Sequence, residues 1–248
     1  MSPRAMPHMR HENVVARVKM DYETLMTTAT STLEVFQDLI LREPADGGSV
    51  LRQALLSGVV TPWHHAGDDE KELLSRVSDG SDILVFQRDA SDGLAAARLV
   101  LWSRPGGYEV ANIVPSGEDA LDYGQYNALL QDFAWRIATP AARETGCVLE
   151  TTAARQSLEA WLTPQSADAL RRFSGHANKA MGSTHSLDRK RWFRFLLQVH
   201  ADARRIDTGQ LARWLTEIEG WSDEKALELA VEYEFALALL NEYDLRPN

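Results

Sequence analysis

Along the first part of the chain the apolar positions change period several times. From Met1 to Met20 they fall without any period among Pro3, Pro7, arginines and histidines, and the stretch is expected to be a disordered extension. Leu25, Leu33, Phe36, Leu39 and Ile40 then recur at helical spacing and predict a first helix over about Tyr22 to Leu41, stopped by Glu43, Pro44 and Gly47-Gly48. A short helix is expected near Val50 to Leu56. Another is expected to end near Val77, with Asp68, Asp69 and Glu70 in its first turn, where the helix dipole favours acids. Three apolar runs follow: Ile83–Gln87, Leu94–Trp102 and Tyr108–Val114. The turn residues of Asp89–Gly93 and Arg104–Gly107 separate them, which predicts an antiparallel meander, with Gly106 and Gly107 as its second turn. Tyr126, Leu129, Leu130, Phe133 and Ile137 mark a helix over Tyr123–Ile137, and Cys147–Thr151 reads as a fourth strand.

Beyond Ala153 the signals are helical. Thr163-Pro164 is a cap and first-turn pair before Leu170 and Phe173, and Asp188 is placed to cap a helix bearing Trp192, Phe195, Leu196 and Val199. Asp207 with Gln210 opens a helix carrying Leu211, Trp214, Leu215 and Ile218, and Gly220 closes it. Ser222 caps the last helix, in which Leu227, Val231, Phe235, Ala238 and Leu239 are expected to face inward. The fold class expected is α+β: a small antiparallel sheet with flanking helices, then an all-helical C-terminal bundle. The domains expected are an extension over 1–20, an α+β domain over 21–153 and a helical domain over 154–248.

Composition narrows the class. Of the 248 residues 44% are hydrophobic and 25% charged, enough apolar material for a core. The single cysteine, Cys147, cannot form an internal disulfide and reads as a small buried residue. With no run of about 18 apolar residues and no short apolar stretch near the start, a cytoplasmic protein without membrane contact is expected. The net charge is -10, but it is distributed in blocks. Arg171 to Arg205 holds nine basic residues against two acids, a net of +7, and Glu217 to Asp244 holds nine acids against Lys225, a net of -8. A basic island in an acidic protein either meets an anion or neutralises its own neighbour.

Candidate chemistry is sparse. His64, His65, Asp68 and Asp69 are the densest set of metal-ligand types, but adjacent histidines on an extended segment point apart, so no metal is expected. The connection between two amphipathic helices carries His176, Asn178, Lys179, Ser183, Thr184, His185 and Asp188, a ligand or partner loop by composition, although the glycine spacing of a P-loop is absent. The blocked charges make Arg189, Lys190, Arg191 and Arg194, with Glu228 and Glu232, interface candidates. Nucleic acid is a possible partner of the basic helix, but the acidic helix competes for the same cations and the net charge repels a polyanion. No serine has a nucleophile-elbow context, so no catalytic residue and no cofactor is expected.

Two small helices, three antiparallel strands, a helix and a fourth strand between about Val50 and Thr152 form an order that resembles the GNAT fold of CoA-dependent N-acetyltransferases. The resemblance covers roughly 100 residues and rests on element order. It implies a loop before the central helix that presents backbone N–H groups to the CoA pyrophosphate. Here that loop, Val114 to Gly124, has two separated glycines and places Glu118, Asp119 and Asp122 where a pyrophosphate needs positive potential, so no CoA affinity is expected. The leading expectation is a non-enzymatic protein-binding module of the antitoxin, immunity or regulatory-adaptor type, supported by seven tryptophans, which anchor interfaces when they are not in a core. The alternatives are an acyltransferase-like enzyme with an altered donor site between the third and fourth strands, and a nucleic-acid-associated factor using 171–205.

Overall fold

A computed structural model describes residues 31–44, 50–77, 81–180, 185–202 and 204–246. The extension expected over 1–20, and the expected first helix before residue 31, lie outside the described residues. The chain divides into two compact units, one of Glu34–Gln156, the other of Leu33 with the chain from Ser157 on.

Residues 33–42 are extended, not helical. β1 (Leu33–Glu34) and β2 (Leu39–Arg42) lie in a stretch whose burial alternates: Leu33, Val35, Gln37, Leu39 and Leu41 are buried, and Glu34, Phe36, Asp38 and Arg42 are exposed. Phe36 misled the helical reading, since it supplied an apolar residue on the outer row. Its ring packs 4.3 Å from Tyr123 and 4.7 Å from Tyr126, which explains an apolar residue there. Between the two strands the backbone is held by a side chain: Asn127 Oδ1 accepts from the Gln37 N–H at 2.8 Å and its amide donates to the Val35 carbonyl at 2.9 Å.

The rest of this unit follows as α1 (Val50–Ser57), β3 (Trp63–His65), α2 (Gly67–Arg76), β4 (Ile83–Arg88), β5 (Ala97–Arg104), β6 (Gly107–Pro115), α3 (Tyr123–Phe133), α4 (Thr139–Thr145), β7 (Val148–Thr151) and β8 (Arg155–Gln156). Six strands form one antiparallel sheet in the order β3-β4-β5-β6-β2-β7. The meander β4-β5-β6 is its centre, and the short strands β1 and β8 pair apart from it. Gly107 does more than turn the chain: its φ is +148°, and a Cβ there would lie 1.8 Å from the Leu41 carbonyl oxygen, so β2 can pair with β6 only over a glycine. Leu51 and Leu55 of α1 and Leu129, Leu130 and Phe133 of α3 pack on Leu84, Phe86, Leu99 and Leu101 of the sheet. α3 continues through a π-turn at Ala134–Ala138 into α4, and the wider turn absorbs Pro140, which has no N–H to give. Gly146, at φ 71°, ends it.

The second unit is helical: α5 (Leu158–Trp161), α6 (Pro164–His176), α7 (Ser186–Asp202), α8 (Thr208–Arg213, widening to a π-turn at Trp214–Ile218) and α9 (Asp223–Asp244). Thr163, Asp207 and Ser222 cap α6, α8 and α9 through their side chains. Asp188 lies inside the first turn of α7 rather than capping it. Phe173, Trp192, Phe195, Trp214 and Trp221 fill the core. Four of the seven tryptophans, Trp63, Trp192, Trp214 and Trp221, are thereby buried, and the interface argument drawn from them loses most of its force.

α9 is reversed relative to expectation. Its buried row is Ala226, Leu229, Ala230, Tyr233 and Leu237, whereas Leu227, Val231, Phe235 and Leu239 are exposed. Both rows are apolar, and the one with two alanines turned inward because small residues let α9 approach its neighbours closely. The Tyr233 hydroxyl also finds a partner there, donating to the Ile206 carbonyl at 3.0 Å.

Candidate functional site

α7 and α9 run side by side in the same direction. Arg189 near the start of α7 meets Glu232 at 3.4 Å, and His200 near its end meets Asp244 at 2.8 Å. Between these contacts the two helices leave a groove of about 350 Å³ lined by Phe193, Leu196, Leu197, Phe235, Leu239 and Leu240, with Arg189 and Glu232 at its rim. Phe235 is 68% exposed, Leu239 55% and Leu197 55%. The Arg189 guanidinium also covers the Phe193 ring at 5.4 Å, which keeps this cation at the groove edge. Exposed apolar side chains gathered into one patch across two helices, unlike ones scattered singly, are the mark of an interaction surface.

The sequence-predicted interface residues do not all belong here. Arg189 and Glu232 line the groove. Glu228 is instead held by Lys225 at 2.7 Å, and Arg191 by Asp188 at 2.8 Å. Among the described residues no ion pair holds Lys190 or Arg194. Among the described residues four of the nine cations of the basic island meet carboxylates, Arg189 and Arg191 as above, Arg171 with Glu159 at 2.7 Å and Arg172 with Asp168 at 2.8 Å, while Arg204 donates to the Ala160 carbonyl at 2.8 Å. The Arg171 hydrogen bond holds the Glu159 carboxyl down at about 2.

The residues of the predicted loop are spread over local tasks. His176 ends α6 with its ring bonded to the Arg172 carbonyl at 2.8 Å. Asn178 accepts from the Ala180 N–H at 3.1 Å, and Lys179 donates to the Glu219 carbonyl. His185 accepts from the Leu187 N–H at 3.4 Å, and the buried Asp188 carboxylate accepts from the Asn178 N–H at 3.4 Å. Ser183 and Thr184 lie outside the described residues. A second groove, between α6 and α7, is lined by Arg172, His176, Arg191 and Arg194 along with Asp168 and two glutamines. Arg172 and Arg191 are paired to carboxylates there, which leaves Arg194 as the groove's guanidinium without an ion pair among the described residues.

The sheet unit holds the densest ionisable chemistry, of which the sequence shows His65 as a metal-ligand type and Glu70 as a helix-start acid but gives no sign of Arg52, Asp82, Arg88 or Asp132 as their neighbours. Glu70 is buried, accepting from Arg52 at 2.5 Å and bonded to His65 at 2.6 Å; Arg52 also binds Asp82 at 2.8 Å, and Tyr108 donates to Asp82. Burial pushes the Tyr108 phenol far above its ordinary value, and the negative Asp82 adds to this. Arg88, fully buried, binds Asp132 at 3.0 Å while Trp63 and Arg136 donate to the same carboxylate at 2.8 and 2.7 Å. Burial alone would raise the Asp132 carboxyl, but hydrogen bonds from Arg136, Trp63 and Arg88 outweigh it and hold it below its ordinary range. Each chain of groups closes on itself. Asp68 and Asp69 pair with Lys71 and Arg98, and among the described residues no three histidine, cysteine or carboxylate side chains converge as metal ligands.

The acidic loop before α3 is exposed, and Asp122 caps the helix in a reciprocal box with Gln125, accepting at 2.7 Å and donating at 3.0 Å. β2 lies between β6 and β7, the two strands that flank α3 and α4. Among the described residues no helix is long and apolar enough to cross a membrane. Comparison with protein-family models, with curated proteins and with solved structures finds no match.

Proposed function

We propose that this chain is a protein-binding module, of the antitoxin, immunity or regulatory-adaptor kind, that docks another polypeptide in the groove between α7 and α9. The observation that carries the reading is the apolar strip of Phe193, Leu197, Phe235 and Leu239, which crosses two helices and lies between the Arg189–Glu232 pair and the His200–Asp244 contact. An amphipathic helix laid in such a groove buries its apolar row and meets both charge signs at the rims. Against an enzymatic role stands the closure of the polar chains of the sheet unit upon themselves. Against a CoA-dependent role stand Asp122, already capping the helix where a pyrophosphate would sit, and β2, interposed where a donor site between β6 and β7 would open.

The test is a photo-crosslinking amino acid placed at Leu239, with the same residue at the exposed Lys71 as control, in the living source cell. Adducts with a polypeptide at position 239 and none at position 71 are expected. No adduct at 239, or equal adducts at both positions, overturns the reading. Thermal shift with acetyl-CoA is expected to be flat, and a saturating rise in melting temperature favours the acyltransferase alternative.

A further inference from the structure

We infer that the occupant of the groove is a second copy of the chain, its α9 lying antiparallel in the groove so that two grooves close on each other about a two-fold axis. The inference rests on the docking reading above and adds the partner's identity. It is carried by the order of charges along the two helices. The α7 side reads basic at Arg189 and Lys190, apolar at Phe193 and Leu197, then basic again at His200, Arg204 and Arg205. The α9 side reads acidic at Glu224 and Glu228, apolar at Val231, Phe235 and Leu239, then acidic again at Glu242 and Asp244.

The register follows from helix geometry. With the Phe235–Leu239 region of one α9 seated over Phe193 and Leu197 of the other copy, Glu242 lies about 10 Å beyond Phe235 and comes over the Arg189–Lys190 end of that copy's α7. Glu228, a similar distance on the other side, comes over its His200–Arg204 end. The Arg189–Lys190 end thus meets an acid while the apolar centres meet, and at the other end Glu228, held by Lys225 in its own chain, faces His200 and Arg204. Among the described residues neither Lys190 nor Glu242 has an ion pair within its own chain, so these two are free to pair across the contact. The α7 wall is matched by acid, apolar and acid segments in this spacing, and α9 itself carries them. The antiparallel arrangement uses the same surface on both copies and closes at two, whereas a head-to-tail contact would propagate.

Sedimentation equilibrium of the full chain tests this, with melting followed in parallel. The wild type is expected at twice the 27.8 kDa chain mass, dissociating on dilution, and Phe235→Glu at the single mass with its fold intact, since that side chain is exposed. Glu242→Lys is expected to weaken association several-fold, and adding Lys190→Glu to restore it; failure of the restoration overturns the antiparallel register. A wild type that stays at single mass while the Leu239 crosslinker captures a different protein overturns the second copy and leaves the docking groove standing. Single mass with no crosslink at all removes both. A dimer that persists in Phe235→Glu places the contact elsewhere and overturns the proposal.

Discussion

The two units handle surplus polarity and surplus apolar surface in opposite ways. In the sheet unit charged groups go inside, as Arg88 and Glu70 do, each answered by several partners, while its exposed apolar residues, among them Val60, Val114 and Trp135, are scattered through the sequence. In the helical unit the charges stay mostly near the surface in local pairs, and the apolar excess gathers on α7 and α9. Scattered exposed apolar residues need no explanation, but a strip on adjacent helices does. Buried ion pairs fix one unit internally, whereas the other has a face that packing inside the unit does not use.

The sharpest break of this contrast is Arg88→Met. It leaves Asp132 with Trp63 and Arg136 but removes the donors to the Asp89, Ser91 and Leu94 carbonyls, at about 1–3 kcal/mol for each acceptor left unmade, so a loss of about 3–5 kcal/mol in denaturant unfolding is expected. A loss under about 1 kcal/mol would place Arg88 with surface pairs. Next come two residues of one helix: Leu237→Ala, at 4% exposure, should cost about 2–5 kcal/mol, and Phe235→Ala, at 68%, should cost under about 0.5 kcal/mol in dilute solution. Equal losses would mean that the exposed row packs after all.

A smaller effect concerns acid. The Glu159 carboxyl, ordinarily near 4.5 and held at about 2 by Arg171, binds protons more weakly folded than unfolded. Its contribution is therefore complete above pH 4.5 and drains away as the pH falls toward 2. Glu159→Gln should flatten the fall in melting temperature across that window while changing little near neutrality relative to its own acid value. An unchanged acid slope would count against the Arg171 pair. The smallest effect is expected from Glu232→Lys, which loses the exposed Arg189 pair at a cost of about 0–1 kcal/mol that shrinks in high salt.

The meander, the central helix and the caps at Thr163, Asp207 and Ser222 were legible because local chemistry alone decides them: turn residues, apolar period and a side-chain oxygen before a helix. β2 was not, since Phe36, just before it in the extended stretch, completed a helical spacing, and only pairing with β6 over Gly107 settles the period. α9 failed for a related reason. It carries two apolar rows, and periodicity cannot say which one meets the core. A helix apolar on more than one side was itself the missed signal, since such a helix is either buried all round or waits for a partner. At the level of blocks +7 and -8 nearly cancel across helices, but Arg172 with Asp168 and Arg191 with Asp188 cancel within single turns, which the block sums do not distinguish.

Hydroxyl-radical footprinting of the full chain over a dilution series tests the central claim most directly, because it reports side-chain exposure residue by residue. Phe193, Phe235 and Leu239 are expected to lose labelling as the concentration rises, while Trp135, 71% exposed in the sheet unit, keeps it. Labelling of the three groove residues that does not depend on concentration, or a loss confined to Trp135 and its surroundings, would contradict a second copy seated between α7 and α9.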